Sequence, residues 1–180
     1  MRILLVGGGT LGSVTPLLAV AEELQRQKTV SDTVSEKVSD TVFWGTRMGP
    51  ERVLVEAMGI PFRSIPAGKL RRYWDARNLF DLFVVKWAFW VALVRLIRWR
   101  SSVVVGAGSF VQVPVLWAAW VLRIPIVIHQ QDVRPGLANR LVAPFARAIT
   151  ATFPETARMF RGRPVTVVGN PVRRAVLAAR

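Results

Sequence analysis

Short apolar runs alternate with longer amphipathic segments along almost the whole chain. Two of these runs, 103–105 and 126–128, contain no polar residue. Continuous apolar runs predict strands that are buried on both faces, as in a parallel sheet. The pattern predicts seven strands: Arg2–Gly7, Thr41–Gly45, Phe62–Pro66, Ser102–Gly106, Pro125–His129, Ala148–Thr152 and Val165–Val168.

The segments between these strands have apolar positions at helical spacing. Alternating strands and helices predict an α/β fold, in which helices cover both faces of a parallel sheet. Ligands bind such sheets at the carboxyl ends of the strands, so the loops after the strands are the candidate functional loops. Six helices are predicted: Val14–Lys28, Pro50–Met58, Arg77–Trp99, Gln112–Leu122, Pro135–Phe145 and Glu155–Phe160.

Two segments depart from this alternation. Residues 31–42 contain a four-residue repeat, Ser-Asp-Thr-Val, Ser-Glu-Lys-Val, Ser-Asp-Thr-Val, which predicts an expanded surface turn. At the other end, the basic segment 169–173 is followed by a few helix-forming residues. We expect residues 1–168 to form one domain and residues 169–180 to begin a linker to a second domain.

Composition narrows the class of protein. A chain of 180 residues with 52% hydrophobic residues suffices for one domain with a packed core. The absence of Cys excludes disulfides and thiolate sites, and a single histidine, His129, excludes a histidine-cluster metal site. The apolar start is too short for a signal peptide and its glycines suit a turn, so we expect a cytoplasmic protein.

The charge is divided unevenly along the chain. Residues 1–60 carry six Lys and Arg against seven Asp and Glu, whereas residues 61–180 carry nineteen against four. A basic surface attracts polyanions such as nucleic acid, anionic lipid or diphosphates. The basic part also holds most of the aromatic residues, which favours a membrane surface. The chain has no RRM, KH or helix-turn-helix signature, so we do not expect a nucleic-acid partner.

Two glycine-rich turns follow predicted strands and precede predicted helices. The first is Gly7-Gly-Gly9-Thr-Leu-Gly12, and the second is Gly106-Ala-Gly108-Ser-Phe. Glycine lets the backbone approach a ligand closely, and the first N–H groups of a helix are free to bind an anion. Two such turns at strand ends predict a shared phosphate or diphosphate site.

The first turn also satisfies the dinucleotide fingerprint G-x-G-x-x-G. A nucleotide site of that kind needs an acidic residue at the end of the second strand to hold the ribose. Here that strand ends Phe43-Trp-Gly-Thr46, without a carboxylate. An NAD-dependent oxidoreductase therefore remains only an alternative, as does a tight turn that binds nothing.

Motifs from end to end of the chain resemble those of the N-terminal domain of glycosyltransferase family 28. The family's first glycine loop matches Gly8-Gly-Thr-Leu-Gly-Ser13 with Pro16, and its Gly-Thr after the second strand matches Gly45-Thr46. Four later motifs also match, in order: Gly106-Ala-Gly-Ser-Phe-Val-Gln-Val-Pro114, His129-Gln-Gln-Asp132, Pro135-Gly-Leu-Ala-Asn139 and Gly169-Asn-Pro-Val-Arg173.

The resemblance implies a Rossmann-like domain that is one half of a GT-B fold. It implies inverting transfer of GlcNAc from UDP-GlcNAc to the lipid-linked diphosphate acceptor lipid I, giving lipid II for peptidoglycan, with no metal or cofactor. The N-terminal half would hold the acceptor at the cytoplasmic face of the bacterial plasma membrane. A C-terminal donor-binding domain or chain would hold most of the UDP-GlcNAc.

By position, the resemblance assigns donor contacts to Thr10, Leu11, Gly12, Asp132 and Arg173. With the glycine turns and the matched motifs, the predicted substrate-binding set also includes Gly9, Gly106, Gly108, Ser109, Phe110 and Asn139.

Departures from the family pattern fall on the candidate catalytic residues. Ser13 replaces the first-loop histidine, and a serine hydroxyl is not a useful base at neutral pH. Gln130 replaces the glutamate of the His-Glu-Gln-Asn motif, and Asp132 replaces its asparagine. His129 and Asp132 are then the titratable candidates. Either Asp132 serves as base, or catalysis is weak, or the chain is a non-catalytic membrane-anchoring subunit or a diverged homologue that binds a lipid-diphosphate sugar.

Residues 80–99, FDLFVVKWAFWVALVRLIRW, are long enough to span a bilayer, but their four charged residues make spanning costly. Tryptophan favours the lipid–water boundary. We therefore predict an interfacial helix and a preceding basic loop that dock on an anionic membrane surface. A helix buried against the sheet is the alternative. The predicted membrane residues are Lys69, Arg71, Arg72, Trp74, Trp87 and Trp90.

Overall fold

A computed structural model describes residues 1–31, 40–67, 77–160 and 162–178. Seven parallel strands form one sheet in the order β3-β2-β1-β4-β5-β6-β7. This order places the first strand at the centre and confirms the predicted Rossmann-like class. The strands are β1 Arg2–Val6, β2 Asp40–Gly45, β3 Phe62–Ser64, β4 Val103–Gly106, β5 Ile126–Gln130, β6 Ala148–Ala151 and β7 Val165–Val167.

Helices cover both faces of the sheet, as the pattern predicts. Alternate residues of β1 serve the two faces: Ile3 and Leu5 face one helical layer, and Leu4 and Val6 face the other. The first layer consists of α1 and α2, and the second consists of α3, α4 and α5. The helices are α1 Thr15–Ser31, α2 Glu51–Glu56, α3 Arg77–Trp99, α4 Gln112–Val121, α5 Leu137–Val142, α6 Pro154–Ala157 and α7 Arg174–Ala178, with a 3₁₀ turn at Ala143–Phe145.

The structure confirms all seven predicted strands and corrects several helix bounds. The predicted helix Pro135–Phe145 is α5 followed by the 3₁₀ turn, in which Pro144 has no N–H to continue α-helical bonding. The predicted helix Glu155–Phe160 ends at Ala157. The predicted turn 31–42 is also wrong at both ends, because Ser31 lies in α1 and Asp40 already begins β2. Its middle, residues 32–39, lies outside the described residues.

The long helix α3 packs on α4 through a narrow buried face. Val85, Ala88, Ala92 and Leu96 recur every three or four residues and are almost fully buried. The small alanines allow close approach of the two helices. Among the described helices, none combines the length and apolarity that crossing a bilayer requires.

Two arginines adopt the left-handed backbone conformation just after helices. Arg100 follows α3 with φ 54°, and Arg123 follows α4 with φ 57°. The Arg123 N–H donates to the carbonyl oxygen of Trp120 at 2.9 Å, so this residue closes the last turn. Glycine is the usual residue at such a position, because a side chain there crowds the backbone.

Replacing Arg123 by glycine is therefore expected to stabilise the protein by about 1 kcal/mol, since the strain of the left-handed conformation is removed. Urea unfolding monitored by circular dichroism measures the change. The matched control is Arg98→Gly inside α3, where glycine should instead cost about 1 kcal/mol. Equal destabilisation by both substitutions would contradict the role assigned to the conformation of Arg123.

Candidate functional site

The two glycine turns lie side by side at the carboxyl edge of the sheet. They begin from neighbouring strands, whose last residues Val6 and Gly106 are partners in the sheet register. Gly9 and Gly108 have φ values of 81° and 93°, which only glycine adopts readily. The ring of Phe110 from the second turn lies against Gly9, where a Cβ would overlap it. The turns therefore form one surface.

A buried carboxylate holds the first turn from below. Glu51, at the start of α2, is fully buried. One of its oxygens accepts hydrogen bonds from the backbone N–H of Thr46 at 2.6 Å and from the Thr46 hydroxyl, and the other accepts the N–H of Gly9 at 3.3 Å. Cβ atoms on Gly8 or Gly49 would overlap this carboxylate. These glycines therefore make room for Glu51.

The second turn is held in the same way by an amide. Gln112, at the start of α4, is fully buried, and its Oε1 accepts the N–H of Gly108 at 3.0 Å. Its Nε2 donates to Asn139 Oδ1 at 2.6 Å, and Asn139 Nδ2 donates to Gln130 Oε1 at 2.7 Å. Gln130 then donates to the carbonyl oxygen of Asp132. This chain of amides, Gln112–Asn139–Gln130, fixes the second turn relative to the loop after β5.

These contacts correct part of the predicted phosphate site. The N–H groups of Gly9 and Gly108 donate to Glu51 and Gln112, so neither is free for a diphosphate. Asn139 is almost fully buried and uses both its donor and its acceptor within the protein, so its side chain links the loops around the second turn. Gly106 is also buried, and a Cβ at this position would overlap the side chain of Gln112.

The outer part of the first turn keeps its donors. Thr10, Leu11 and Gly12 are exposed, and no acceptor among the described residues takes the N–H groups of residues 10–13. Their backbone leads directly into α1, whose N-terminal end carries partial positive charge. An anion can therefore bind at residues 10–13, above the internal carboxylate of Glu51.

Both serines at the turns serve the local backbone. The Ser13 hydroxyl is nearly buried and donates to the carbonyl oxygen of Thr10 at 3.3 Å. The Ser109 hydroxyl is buried and accepts the N–H of Val111 at 3.1 Å. Ser13 is thus held in place at the position of the family histidine, and the side chain of Ser109 shapes the turn from inside.

His129 is a satisfied strand-end residue. Its ring is buried, with Nδ1 3.0 Å from Thr150 Oγ1 and Nε2 3.4 Å from Thr152 Oγ1. Burial lowers the pKa of the imidazole below its usual 6.5, and a hydrogen bond to Asn170 acts in the opposite direction. Both ring nitrogens therefore lie near hydroxyl groups of Thr150 in β6 and Thr152 just after it, inside the protein.

Asp132 is the exposed member of the candidate catalytic pair. The segment that contains half-buried Arg173 crosses this edge of the sheet. Asn170 contacts the His129 ring, and the N–H of Arg174 donates to Glu22 on α1 at 3.1 Å. Residues 169–174 therefore lead from the end of β7 past His129 to α1. In the described ranges, no three carboxylate or histidine side chains lie close enough to share a metal ion.

Of the predicted membrane residues, Trp87 and Trp90 lie on α3 and are 63% and 59% exposed. They belong to an exposed row at helical spacing, which we call the apolar stripe: Phe83, Trp87, Trp90, Val94 and Ile97. The other predicted membrane residues, Lys69, Arg71, Arg72 and Trp74, lie outside the described residues.

Sequence reasoning missed Glu51 and Gln112. The end of β2 has no carboxylate, so the sequence offers no sign that Glu51, five residues past Thr46, folds back under the first turn. A glutamate in the first turn of a helix is common on solvent-facing surfaces, where it complements the helix dipole. The signal that distinguishes Glu51 is the pair of glycines at positions 8 and 49, which lie on either side of its carboxylate.

Replacing Glu51 by alanine is expected to destabilise the protein by about 3 kcal/mol, because the N–H groups of Thr46 and Gly9 lose their buried acceptor. Glu51→Gln should cost about half of that, since an amide supplies one oxygen but turns a donor towards the other N–H. Urea unfolding measures both. Glu56→Gln, on the exposed side of α2, is the control and should change stability by less than about 0.5 kcal/mol. Equal effects at positions 51 and 56 would refute this account.

Two curated relatives are named UDP-N-acetylglucosamine–N-acetylmuramyl-(pentapeptide) pyrophosphoryl-undecaprenol N-acetylglucosamine transferase. The enzyme of Bacillus cereus is 39% identical to this chain, and that of Shouchella clausii is 41% identical. Each match covers 98% of this chain and 47% of the relative, so the chain spans about half the length of the curated relatives it matches.

Solved structures share the fold. MurG of Acinetobacter baumannii superposes with a TM-score of 0.77 at 27% identity, over 94% of this chain and 46% of that one. The UDP-GlcNAc 2-epimerase of Neisseria meningitidis superposes with a TM-score of 0.63 at 14% identity, over 94% and 46%, and shows the fold alone. The family model described as the glycosyltransferase family 28 N-terminal domain matches residues 3–151. The chain therefore belongs to glycosyltransferase family 28, whose N-terminal domain it contains.

Proposed function

We propose that this chain is the acceptor-binding, membrane-associated half of a GlcNAc transferase of peptidoglycan synthesis. The reaction would move GlcNAc from UDP-GlcNAc to lipid I and give lipid II. The main support is the carboxyl edge of the sheet, where the N–H groups of residues 10–13, before the start of α1, have no acceptor among the residues that the structure describes. The names of the relatives, matched over 98% of this chain, agree with this activity.

Within that reaction, the free N–H groups of residues 10–13 and the N-terminal end of α1 would bind a phosphate group at the edge of the site. Arg173 and Asp132 would face the cleft towards a C-terminal donor-binding domain, with residues 169–180 as the start of the linker. In an inverting transfer, a base removes the proton of the acceptor hydroxyl as it attacks the anomeric carbon, and UDP leaves with the bonding electrons. Asp132 is the exposed carboxylate that we propose for this step.

A second candidate function is acceptor binding without catalysis. The burial of His129 and the internal hydrogen bonds of Ser13 favour it, because both side chains serve the fold. The chain would then anchor a separate donor-binding subunit at the membrane. Both functions require recognition of the lipid-linked acceptor, so that binding is the first property to measure.

Membrane association would use the apolar stripe of α3. Trp87 and Trp90 expose large amphipathic rings, and Lys86 and Arg98 are exposed beside them. Trp120 on the neighbouring α4 is also half exposed. Arg95 is turned inwards and donates to the carbonyl oxygen of Ser64 at 2.7 Å, so it does not interrupt the stripe. Such a surface suits the cytoplasmic face of an anionic bilayer.

Replacing Trp87 and Trp90 together by alanine is expected to weaken binding to phosphatidylglycerol vesicles by about tenfold or more, because two interfacial aromatic rings are lost. Vesicle sedimentation measures the partition coefficient. Val53→Ala is the matched control, since Val53 is exposed on α2 at the other face of the sheet. Partition that is unchanged by the tryptophan substitutions would exclude the stripe as the membrane surface.

The chain is also expected to bind phosphatidylglycerol vesicles that contain a small fraction of lipid I more tightly than matched vesicles without it. The extra affinity would come from recognition of the lipid-linked diphosphate and its sugar by this domain. Titration of both vesicle types, followed by tryptophan fluorescence, measures the difference. Identical affinities for the two would reject acceptor binding and with it both candidate functions.

A further inference from the structure

A groove lined by four arginines lies beside α5 and the loop that follows β5. It has a volume of about 1280 Å³, and its wall includes Arg134, Arg140, Arg158 and Arg163. Leu137 and Met159 contribute apolar surface between them. We call this cavity the arginine groove.

The charge of the arginine groove is uncompensated. No acidic residue lines it, and Arg134, Arg140 and Arg158 make no ion pair with any carboxylate in the part of the chain that the structure describes. Arg163 is fixed, because its guanidinium donates to the carbonyl oxygen of Ala146. Guanidinium groups bind phosphate oxygens through paired hydrogen bonds, so the groove is suited to a phosphate-bearing ligand.

The position of the groove indicates which ligand. At one end, Arg134 follows Asp132 by two residues, and its carbonyl oxygen accepts a hydrogen bond from Gln130 of the buried amide chain at 3.3 Å. At the other end, Pro144 precedes Phe145, whose ring lies 4.5 Å from that of exposed Trp120. The groove thus lies between the loop that carries Asp132 and the exposed apolar surface at Trp120 of α4.

We propose that the arginine groove binds the diphosphate of a polyprenyl-linked acceptor and directs its hydrocarbon chain towards the apolar surface. The inference rests on the proposed function, which supplies the acceptor, and assigns that diphosphate to a new place. Two of the N–H groups expected to bind it, those of Gly9 and Gly108, are occupied by Glu51 and Gln112. The arginines of the groove, one loop away, supply the positive charge that the diphosphate needs. The apolar side chains of Leu137 and Met159 suit the first isoprene units.

The test is calorimetric titration of this chain with farnesyl diphosphate, a short soluble polyprenyl diphosphate, and with inorganic pyrophosphate. Arg134→Gln, Arg140→Gln and Arg158→Gln should each weaken farnesyl diphosphate binding by about fivefold or more, because each removes a charged hydrogen-bond donor. Arg147→Gln, exposed outside the groove, is the matched control and should stay within about twofold of wild type. Unfolding midpoints equal to wild type show that the variants are folded.

Three results would overturn the inference. Groove variants that bind farnesyl diphosphate as wild type does would exclude the site. A loss as large in Arg147→Gln would show only general attraction by the basic surface. Pyrophosphate binding as tight as that of farnesyl diphosphate would show that the apolar walls add no affinity. The groove would then be a site for free pyrophosphate.

A second arm separates phospholipid headgroups from the diphosphate. The groove variants should bind phosphatidylglycerol vesicles nearly as wild type does, whereas Trp87→Ala with Trp90→Ala should lose the vesicles and keep farnesyl diphosphate. Groove variants that lose vesicle binding, together with no saturable farnesyl diphosphate binding, would make the groove a headgroup site and overturn the inference.

The two proposals fail separately. If the chain prefers vesicles with lipid I but the groove substitutions leave farnesyl diphosphate binding unchanged, the proposed function stands and the groove is excluded. If farnesyl diphosphate binds in the groove but lipid I adds no affinity, the groove stands as a diphosphate site and the proposed function fails.

Discussion

The carboxyl edge of this sheet depends on one constraint, which is that buried polar groups must find partners inside the protein. Each glycine turn buries backbone N–H groups that no strand can pair. The first residue of a helix supplies the partner in both cases: Glu51 of α2, which follows the neighbouring strand β2, for the first turn, and Gln112 of α4, which follows the second turn itself. The shape of the candidate site is therefore set from beneath by two side chains that no substrate reaches.

Most of the fold could be predicted from the sequence, because buried parallel strands leave a simple trace of continuous apolar residues. The bounds of α3 follow from its periodicity and agree with the structure. The end of α5 does not follow so directly, since apolar spacing continues through Ala143 and Phe145 while Pro144 changes the hydrogen bonding. Apolar periodicity indicates which face of a segment is buried, but it does not distinguish α-helical from 3₁₀ hydrogen bonding of the backbone.

The candidate site was predictable in location and less so in role. The two turns do meet, as their place after neighbouring strands predicts. Yet Asn139 and Gly108, both in matched motifs, make hydrogen bonds inside the protein, and a motif does not distinguish a ligand contact from a support beneath it. The residue type of His129 is equally uninformative, because the burial that lowers the pKa of its imidazole depends on tertiary packing that a sequence does not show.

The contact between Glu51 and Gly8 also limits how this loop can be reused. The carboxylate belongs to the second strand–helix unit, whereas the turn that it supports belongs to the first. A chimaera that grafts residues 7–13 alone onto another sheet would carry the glycines without the anion that shapes them. Residues 45–51 have to be included in the graft, because the two strand–helix units form one structural module.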